Sequence, residues 1–379
     1  MVNTDFDDLR PYHDSEINAA MRRITDDPLF EVLAGKLYPE ASVEDLKYKF
    51  RQLNSVSEFQ TKVMHYAINY IVENTITDFS YNGLGLIDKN VSYLCVSNHR
   101  DILLDSALFE LILYTNGIKT TEITFGSNLM KPDFVVDIGK SNKMFKVERG
   151  GNPRDFYKNS KHLSEYIRHT ITGKKESIWI AQRNGRTKDG NDATDQGILK
   201  MFSMSGSVDL VENLSELNIL PIAISYQWEP CDVLKVNEIY KSRREKYEKA
   251  PGEDLQSILT GITSPKGMVH IEITPPVTSD VMAGFHPANK NELISGVCKQ
   301  MDKQIITGYR LFDTNYIACD LMDGTARFMN THYSADSKAH FINDMDAKLN
   351  RLEGDPDELK AIYLGIYGNA VKNKELFDN

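Results

Sequence analysis

Cysteine, long apolar runs and excess positive charge are all scarce in this sequence. The 379 residues include four cysteines, which are far apart and form no Cys-x-x-Cys or Cys/His spacing, so no metal site is expected. No stretch approaches the roughly 18 consecutive apolar residues of a membrane-spanning helix. The formal net charge is −10. This charge argues against general nucleic-acid binding, because a phosphate backbone requires a basic surface.

The first residues, MVNTDFDDLRPYHD, are acidic and contain no apolar segment of the kind found in signal peptides. Cys95 lies inside an apolar run, which favours a buried, reduced thiol. Together these features predict a cytoplasmic protein.

The pattern of apolar residues divides the chain into three parts. Helical spacing dominates residues 16–73 and returns from residue 336 onward. Between them, apolar runs typical of strands alternate with helical segments, which predicts an α/β domain whose largely parallel central sheet is flanked by helices. We therefore predict a helical N-terminal domain (1–76), an α/β domain (77–310) and a helical C-terminal extension (311–379). The predicted strands are 91–97, 121–125, 177–181, 219–227 and 268–274, and the predicted helices between them are 102–114, 156–170, 196–214 and 291–306.

One histidine stands where α/β enzymes place their chemistry. Residues 97–105 read SNHRDILLD, so His99 directly follows a buried strand and precedes an apolar helix. A neutral imidazole there can take a proton from an alcohol while Asp101 or Asp105 fixes its tautomer. The alternative is that Asp101 caps the helix and His99 is only a polar loop residue. A protein kinase is excluded, since Ser106 replaces the required asparagine and no DFG sequence is present.

A second polar cluster follows the strand at 177–181. Arg183, Arg186 and Lys188 surround Gly185, and guanidinium groups bind a phosphate dianion through paired hydrogen bonds. The alternative is a solvated basic turn, balanced by Asp189, Asp192 and Asp195.

These segments together resemble the glycerophospholipid acyltransferase superfamily, whose members carry four ordered sequence blocks. The first block matches at His99, although five residues separate it from Asp105 where the family has four. The second matches residues 139–149, GKSNKMFKVER, with Arg149 as its cation. The third, residues 178–188, IWIAQRNGRTK, is similar to the soluble plastid glycerol-3-phosphate acyltransferases, with Asn184 where most relatives have glutamate. The fourth is the apolar segment 219–224, ILPIAI.

The resemblance implies an O-acyltransferase of phospholipid synthesis. An acyl group would pass from acyl-CoA or acyl carrier protein to a hydroxyl of glycerol-3-phosphate or 1-acylglycerol-3-phosphate. His99 would be the catalytic base and Asp105 its partner, whereas Asp101 would serve structure. The sites implied for the acceptor phosphate are Arg149, Arg186 and Lys188; backbone N–H groups at Asn184 and Gly185 are candidates for binding the thioester oxygen, segment 219–224 would line the acyl or acceptor pocket, and no metal or other cofactor is implied.

Two departures from the family pattern leave alternatives open. The extra residue in the first block and the missing glutamate in the third also fit a catalytically inactive, lipid-binding relative. An acyltransferase for a different lipid acceptor, without a phosphate, is the other alternative.

A basic segment at 241–249, KSRREKYEK, is predicted to be helical. It is a candidate for peripheral contact with the inner face of a membrane or with an acidic acyl carrier protein. The interspersed Glu245 and Glu248 favour a solvated face instead.

Overall fold

The computed structural model describes residues 6–285 and 289–378. Its strands are β1 Ile76–Asn82, β2 Leu94–Ser97, β3 Glu122–Gly126, β4 Met144–Val147, β5 Ile178–Ala181, β6 Ile219–Tyr226 and β7 Gly267–Ile273. Its α-helices are α1 Asp14–Asp26, α2 Pro28–Leu37, α3 Val43–Arg51, α4 Val56–Phe59, α5 His65–Thr75, α6 Leu104–Thr115, α7 Asp133–Ser141, α8 Pro153–Arg168, α9 Gln196–Phe202, α10 Leu210–Ser215, α11 Asp232–Ser242, α12 Glu253–Thr263, α13 Ser279–Ala283, α14 Lys290–Thr307, α15 Asp313–Asp323, α16 Ala335–Leu349 and α17 Pro356–Asp378.

The strands form one seven-stranded sheet in the order β1-β7-β6-β2-β5-β3-β4. Neighbouring strands are parallel except for β6 and β7, which pair antiparallel. The predicted fold class, an α/β fold with a largely parallel central sheet flanked by helices, is confirmed. β2 lies at the centre with all four residues buried, as its unbroken apolar sequence requires when helices cover both faces.

Alternate residues of the central strands pack into two separate hydrophobic cores. Val96 and Ile180 pack on one face, against residues of α8, α9 and α14. Cys95 and Trp179 point to the other face, where α5, α6 and α12 cover the sheet. This separation follows from the two-residue period of a strand.

The N-terminal helices have a core of their own that reaches the α/β part. Met21, Phe30 and Phe50 are buried together, and Phe134 of α7 packs into the same cluster. Local signals set the helix ends: the Asp27 side chain accepts a hydrogen bond from the Leu29 N–H at 2.8 Å, directly before the proline that begins α2. The domain boundaries at residues 76 and 310 stay predictions.

The C-terminal part is helical from α15 onward and packs on α11. Phe341, Tyr363 and Tyr367 form an aromatic core with Val236 of α11. No helix within residues 6–285 and 289–378 is long and apolar enough to cross a membrane.

Two local predictions were wrong, and two strands were missed. The predicted helix 196–214 is two helices, since α9 ends at Phe202 and the chain turns at Gly206, whose φ is +89°. The predicted helical segment 241–249 leaves the helix after Ser242, and Arg243 and Arg244 form ion pairs with Glu358 of α17. Strands β1 and β4 were not predicted at all.

Candidate active site

His99 lies just beyond the carboxyl end of β2, and its imidazole is bonded to Asp105 in the first turn of α6. The distance from His99 Nδ1 to Asp105 Oδ2 is 2.8 Å. The Asp105 side chain has no exposed surface, whereas that of His99 is 12% exposed. Within the described part of the chain, Nε2 of His99 has no hydrogen-bond partner, so it is free to meet a ligand.

Four donors hold the Asp105 carboxylate. Besides His99, the backbone N–H groups of Arg100 and Asp101 donate to Oδ2 at 2.6 and 2.9 Å. The hydroxyl of Tyr226, on β6, donates to Oδ1 at 2.8 Å. Burial and the nearby carboxylate raise the pKa of Tyr226 well above its ordinary value, so this hydroxyl remains a donor. The carboxylate is therefore fixed in position before any ligand arrives.

Asp101 has a different place. Its Oδ1 accepts hydrogen bonds from the N–H groups of Leu103 and Leu104 at 2.9 and 2.8 Å, which caps the start of α6. Its other oxygen faces Gly261, where an added Cβ would come within 2.3 Å of it. Burial and the neighbouring Asp105 raise the pKa of Asp101. The structure thus brings Asp105 to His99 and keeps Asp101 on the helix end.

A buried ion-pair network that was not predicted from the sequence lies next to His99. Arg100 is 4% exposed, and its guanidinium bonds Asp192 at 2.5 Å and Glu229 at 2.8 Å. Asp192 also accepts hydrogen bonds from the hydroxyls of Thr187 and Tyr309. Burial alone would raise the pKa of Asp192, but Arg100 and these donors hold it below its ordinary value.

This network fastens the loop after β5 to the strand end that carries His99. The Thr187 N–H donates to the His99 carbonyl oxygen at 2.7 Å. Asp192, predicted as a counter-charge to a solvated basic turn, is buried and bonded to Arg100, Thr187 and Tyr309. The nearest sequence signal was the pair of adjacent charges at Arg100 and Asp101, which did not identify Asp192 as the partner.

A cavity of about 770 Å³ extends from His99 into the interior. Its wall is mostly apolar and is shared between the sheet and the helices α2, α3, α5, α7, α8, α9 and α12. The Trp179 ring in this wall meets the His99 ring edge to face, with centroids 5.9 Å apart. A long apolar ligand in this space would have one end beside the imidazole.

Three cations line the same cavity as His99, namely Arg149, Arg183 and Lys200. Arg149 follows β4, and its guanidinium lies against Gly126, where an added Cβ would come within 2.7 Å of Nε. Burial lowers the pKa of Arg149, although Asp254 partly offsets this effect. Its guanidinium makes no hydrogen bond or ion pair with any described residue. Among the described residues, the Arg183 side chain, after β5, has a single long contact of 3.4 Å, from Nη1 to the Asn191 carbonyl oxygen.

The other two predicted phosphate-binding residues are not in the cavity wall. Nη2 of Arg186 lies 3.3 Å from the Ser257 hydroxyl, and its Nη1 is buried without a hydrogen-bond partner. Lys188 forms an ion pair with Glu238 of α11. Arg149 therefore shares the cavity with His99, whereas Arg186 and Lys188 lie outside it.

The other parts of the predicted site also differ in whether they line the cavity. Asn184 lines the cavity, and Gly185 beside it has a φ of +78°. Within residues 6–285 and 289–378, no group accepts a hydrogen bond from the backbone N–H of either residue. Segment 219–224 is instead part of β6, fully buried in the sheet, and contributes nothing to the cavity wall. The described residues contain no cluster of three His, Cys, Asp or Glu side chains that could hold a metal ion.

Comparison with known proteins gives little further information. No protein-family model matches the chain, and no curated protein matches it. Among solved structures, it is similar to the crystal structure of the 1-acyl-sn-glycerophosphate (LPA) acyltransferase PlsC from Thermotoga maritima, with a TM-score of 0.38 and 16% identity. The match covers 75% of this chain and 93% of that one. A likeness of this size assigns neither a family nor an activity.

Proposed function

We propose that this protein transfers an acyl group from a thioester to a hydroxyl of a phosphate-bearing, glycerol-3-phosphate-type acceptor. The observation that carries the proposal is the His99–Asp105 pair at the wall of a large apolar cavity. A base with one free nitrogen beside a site for a long apolar chain suits acyl transfer to an alcohol.

The chemistry uses His99 as base and then as acid. Nε2 takes the proton of the acceptor hydroxyl as its oxygen attacks the thioester carbonyl carbon. The carbon–sulfur bond then breaks, and the imidazolium returns the proton to the departing thiolate. Asp105 accepts the Nδ1–H throughout and stabilises the imidazolium by its charge. The N–H groups of Asn184 and Gly185 are the donors that we assign to the transient oxyanion.

The cavity suits the acyl chain in size and polarity. Its 770 Å³ lies within the range of roughly 300–1,000 Å³ that ligand pockets occupy. Each methylene that leaves water for such a wall contributes about 0.8 kcal/mol of binding free energy. A long-chain thioester is therefore the donor that we assign, as either the CoA or the carrier-protein form.

Arg149 and Arg183 are the residues that we assign to the acceptor phosphate. Arg149 lines the cavity and has no anionic partner within hydrogen-bond distance in the described part of the chain, so a bound phosphate would be its direct counter-ion. Lys188 is already neutralised by Glu238, which makes it a weaker candidate than the sequence indicated.

The proposal is tested by thiol release from palmitoyl-CoA and palmitoyl-acyl carrier protein, each with glycerol-3-phosphate and with its 1-acyl derivative. We expect His99→Ala to lower kcat by roughly 10²–10⁴-fold. His340→Ala, which removes an exposed histidine, is the matched control and should match the wild type.

A second set of variants tests the residues assigned to the acceptor phosphate. We expect Arg149→Ala to raise the KM for the acceptor by about tenfold or more, since a hydrogen bond to a charged group contributes about 1.5–3 kcal/mol. Arg351→Ala, at an exposed site, should leave it unchanged. Phospholipid binding without thiol release by the wild type would instead support the inactive, lipid-binding alternative.

A further inference from the structure

The wall of the cavity that begins at His99 includes exposed apolar side chains of α2 and α8. Val32 of α2 and Phe156 and Tyr157 of α8 line the cavity, yet their exposed fractions are 53%, 58% and 64%. A group of large, exposed apolar side chains at a cavity is typical of an interaction surface, whereas single exposed apolar residues scattered over a protein are ordinary.

Basic side chains of α8 lie beside one of these rings, that of Tyr157. Arg154, Lys158 and Lys161 are spaced by four and three residues, so they share one helical face, next to Tyr157. All three are exposed in a protein of net charge −10. Within the described ranges, Arg154 and Lys158 form no ion pair, and Lys161 has only Glu165, at 3.8 Å. We call these three cations with Phe156 and Tyr157 the α8 rim.

The basic segment 241–249 lacks this combination. Arg243 and Arg244 are paired with Glu358, and Lys246 with Glu248 at 3.1 Å. Most of its positive charge is therefore neutralised within the protein.

We propose that the α8 rim docks on an anionic phospholipid surface, so that acyl chains pass between the bilayer and the cavity. The role given to the cavity rests on the proposed function; the docking itself does not. Charge complementarity alone would also fit an acidic carrier protein. The aromatic rings and Val32 in the cavity wall favour lipid, because an interface with exposed rings and adjacent cations matches both the acyl boundary and the phosphate headgroups.

Vesicle cosedimentation tests the proposal with the full-length protein. The vesicles are phosphatidylcholine alone, or phosphatidylcholine with phosphatidylglycerol. We expect the wild type to bind the anionic vesicles, and Tyr157→Ser and Lys158→Glu each to weaken partitioning by about fivefold or more. Tyr48→Ser and Lys246→Glu are matched controls at side chains that are 68% and 87% exposed, and both should bind like the wild type.

Three results would overturn the proposal: no binding of the wild type to anionic vesicles, equal losses in the rim and control variants, or loss only in Lys246→Glu. Binding of acyl carrier protein that Lys158→Glu abolishes, without vesicle binding, would favour the protein partner instead. The His99→Ala variant should bind vesicles like the wild type. Turnover of octanoyl-CoA, a soluble thioester, is measured without vesicles, so a failure of docking and a failure of the proposed function are distinguishable.

Discussion

Replacing Asp105 by asparagine removes the negative charge that faces His99 while keeping the size of the side chain. The amide oxygen can still accept the Nδ1–H and the two backbone N–H groups that Oδ2 now accepts. The amide NH₂ then faces the hydroxyl of Tyr226, which can accept a hydrogen bond in place of donating one. We therefore expect Asp105→Asn to fold.

The loss of charge should appear in the rate. The imidazolium formed as His99 takes the proton would lose its buried counter-charge, and we expect kcat to fall roughly 10³-fold, or about 4 kcal/mol at 1.36 kcal/mol per tenfold. Asp105→Ala is different, because it leaves two backbone N–H groups and the Tyr226 hydroxyl unpaired. At about 1–3 kcal/mol for each of these three donors, the free energy of unfolding should fall by about 3–9 kcal/mol.

The measurements are thiol release for activity and urea unfolding for stability. Asp105→Asn should lose activity while its free energy of unfolding stays within about 1–2 kcal/mol of the wild type, since only the charge assistance of its hydrogen bonds is lost. Turnover within tenfold of the wild type in a folded Asp105→Asn protein would refute the catalytic role given to this carboxylate.

Three further predictions follow from buried groups. Asp192→Ala leaves Arg100 without one of its two buried partners, and we expect urea unfolding to show a loss of about 3–5 kcal/mol. Burial raises the pKa of the Glu110 carboxyl from its ordinary 4.5 to about 7. The folded state therefore favours the protonated carboxyl, and the stability that this proton contributes at pH 4.5 is lost as the pH rises through 7. The wild type should therefore lose about 3 kcal/mol relative to Glu110→Gln over that window, measured by urea unfolding at several pH values. Gly126→Ala places a Cβ against Arg149, and the KM for the acceptor should rise about tenfold in the thiol-release assay.

Each of these three predictions has a control or a contradicting result. Asp189→Ala, in the same loop as Asp192, removes only exposed hydrogen bonds to Asn191 and should lower the free energy of unfolding by no more than about 1 kcal/mol; a loss equal to that of Asp192→Ala would contradict the buried ion pair. Parallel pH curves for wild type and Glu110→Gln would show that the carboxyl does not titrate in this range. Gly85→Ala, where an added Cβ meets nothing within 4 Å, is the control for Gly126, and an unchanged KM in Gly126→Ala would remove Arg149 from the acceptor site.

The strands that could be predicted are those whose burial is evident from an apolar run in their own sequence. β2, β5 and β6 are apolar on both faces, and such runs identify central parallel strands. β1 was missed because it is an edge strand with polar residues such as Asp78 and Asn82, and β4 because only one of its four residues is fully buried. Neither segment carries a clear alternating or apolar pattern.

The candidate site could be predicted only in part. His99 and Asp105 are six residues apart, so the strand–helix junction brings them together locally. Tyr226 and Asp192 are 121 and 92 residues from their partners, and no local pattern records those contacts. Which cations face the cavity depends on the turn at Gly185, whose positive φ redirects the chain between Arg183 and Arg186.

The shared wall of the cavity has a consequence for the N-terminal helices. Phe30, Phe50 and Val63 line the space that begins at His99, although they precede every strand of the sheet in the sequence. Trimming the chain to its α/β part would keep the imidazole and its carboxylate but open the far end of the cavity to water. Residues of the N-terminal helices thus form part of the cavity wall, and substitutions there can change the length of ligand that fits while His99 and Asp105 stay unchanged.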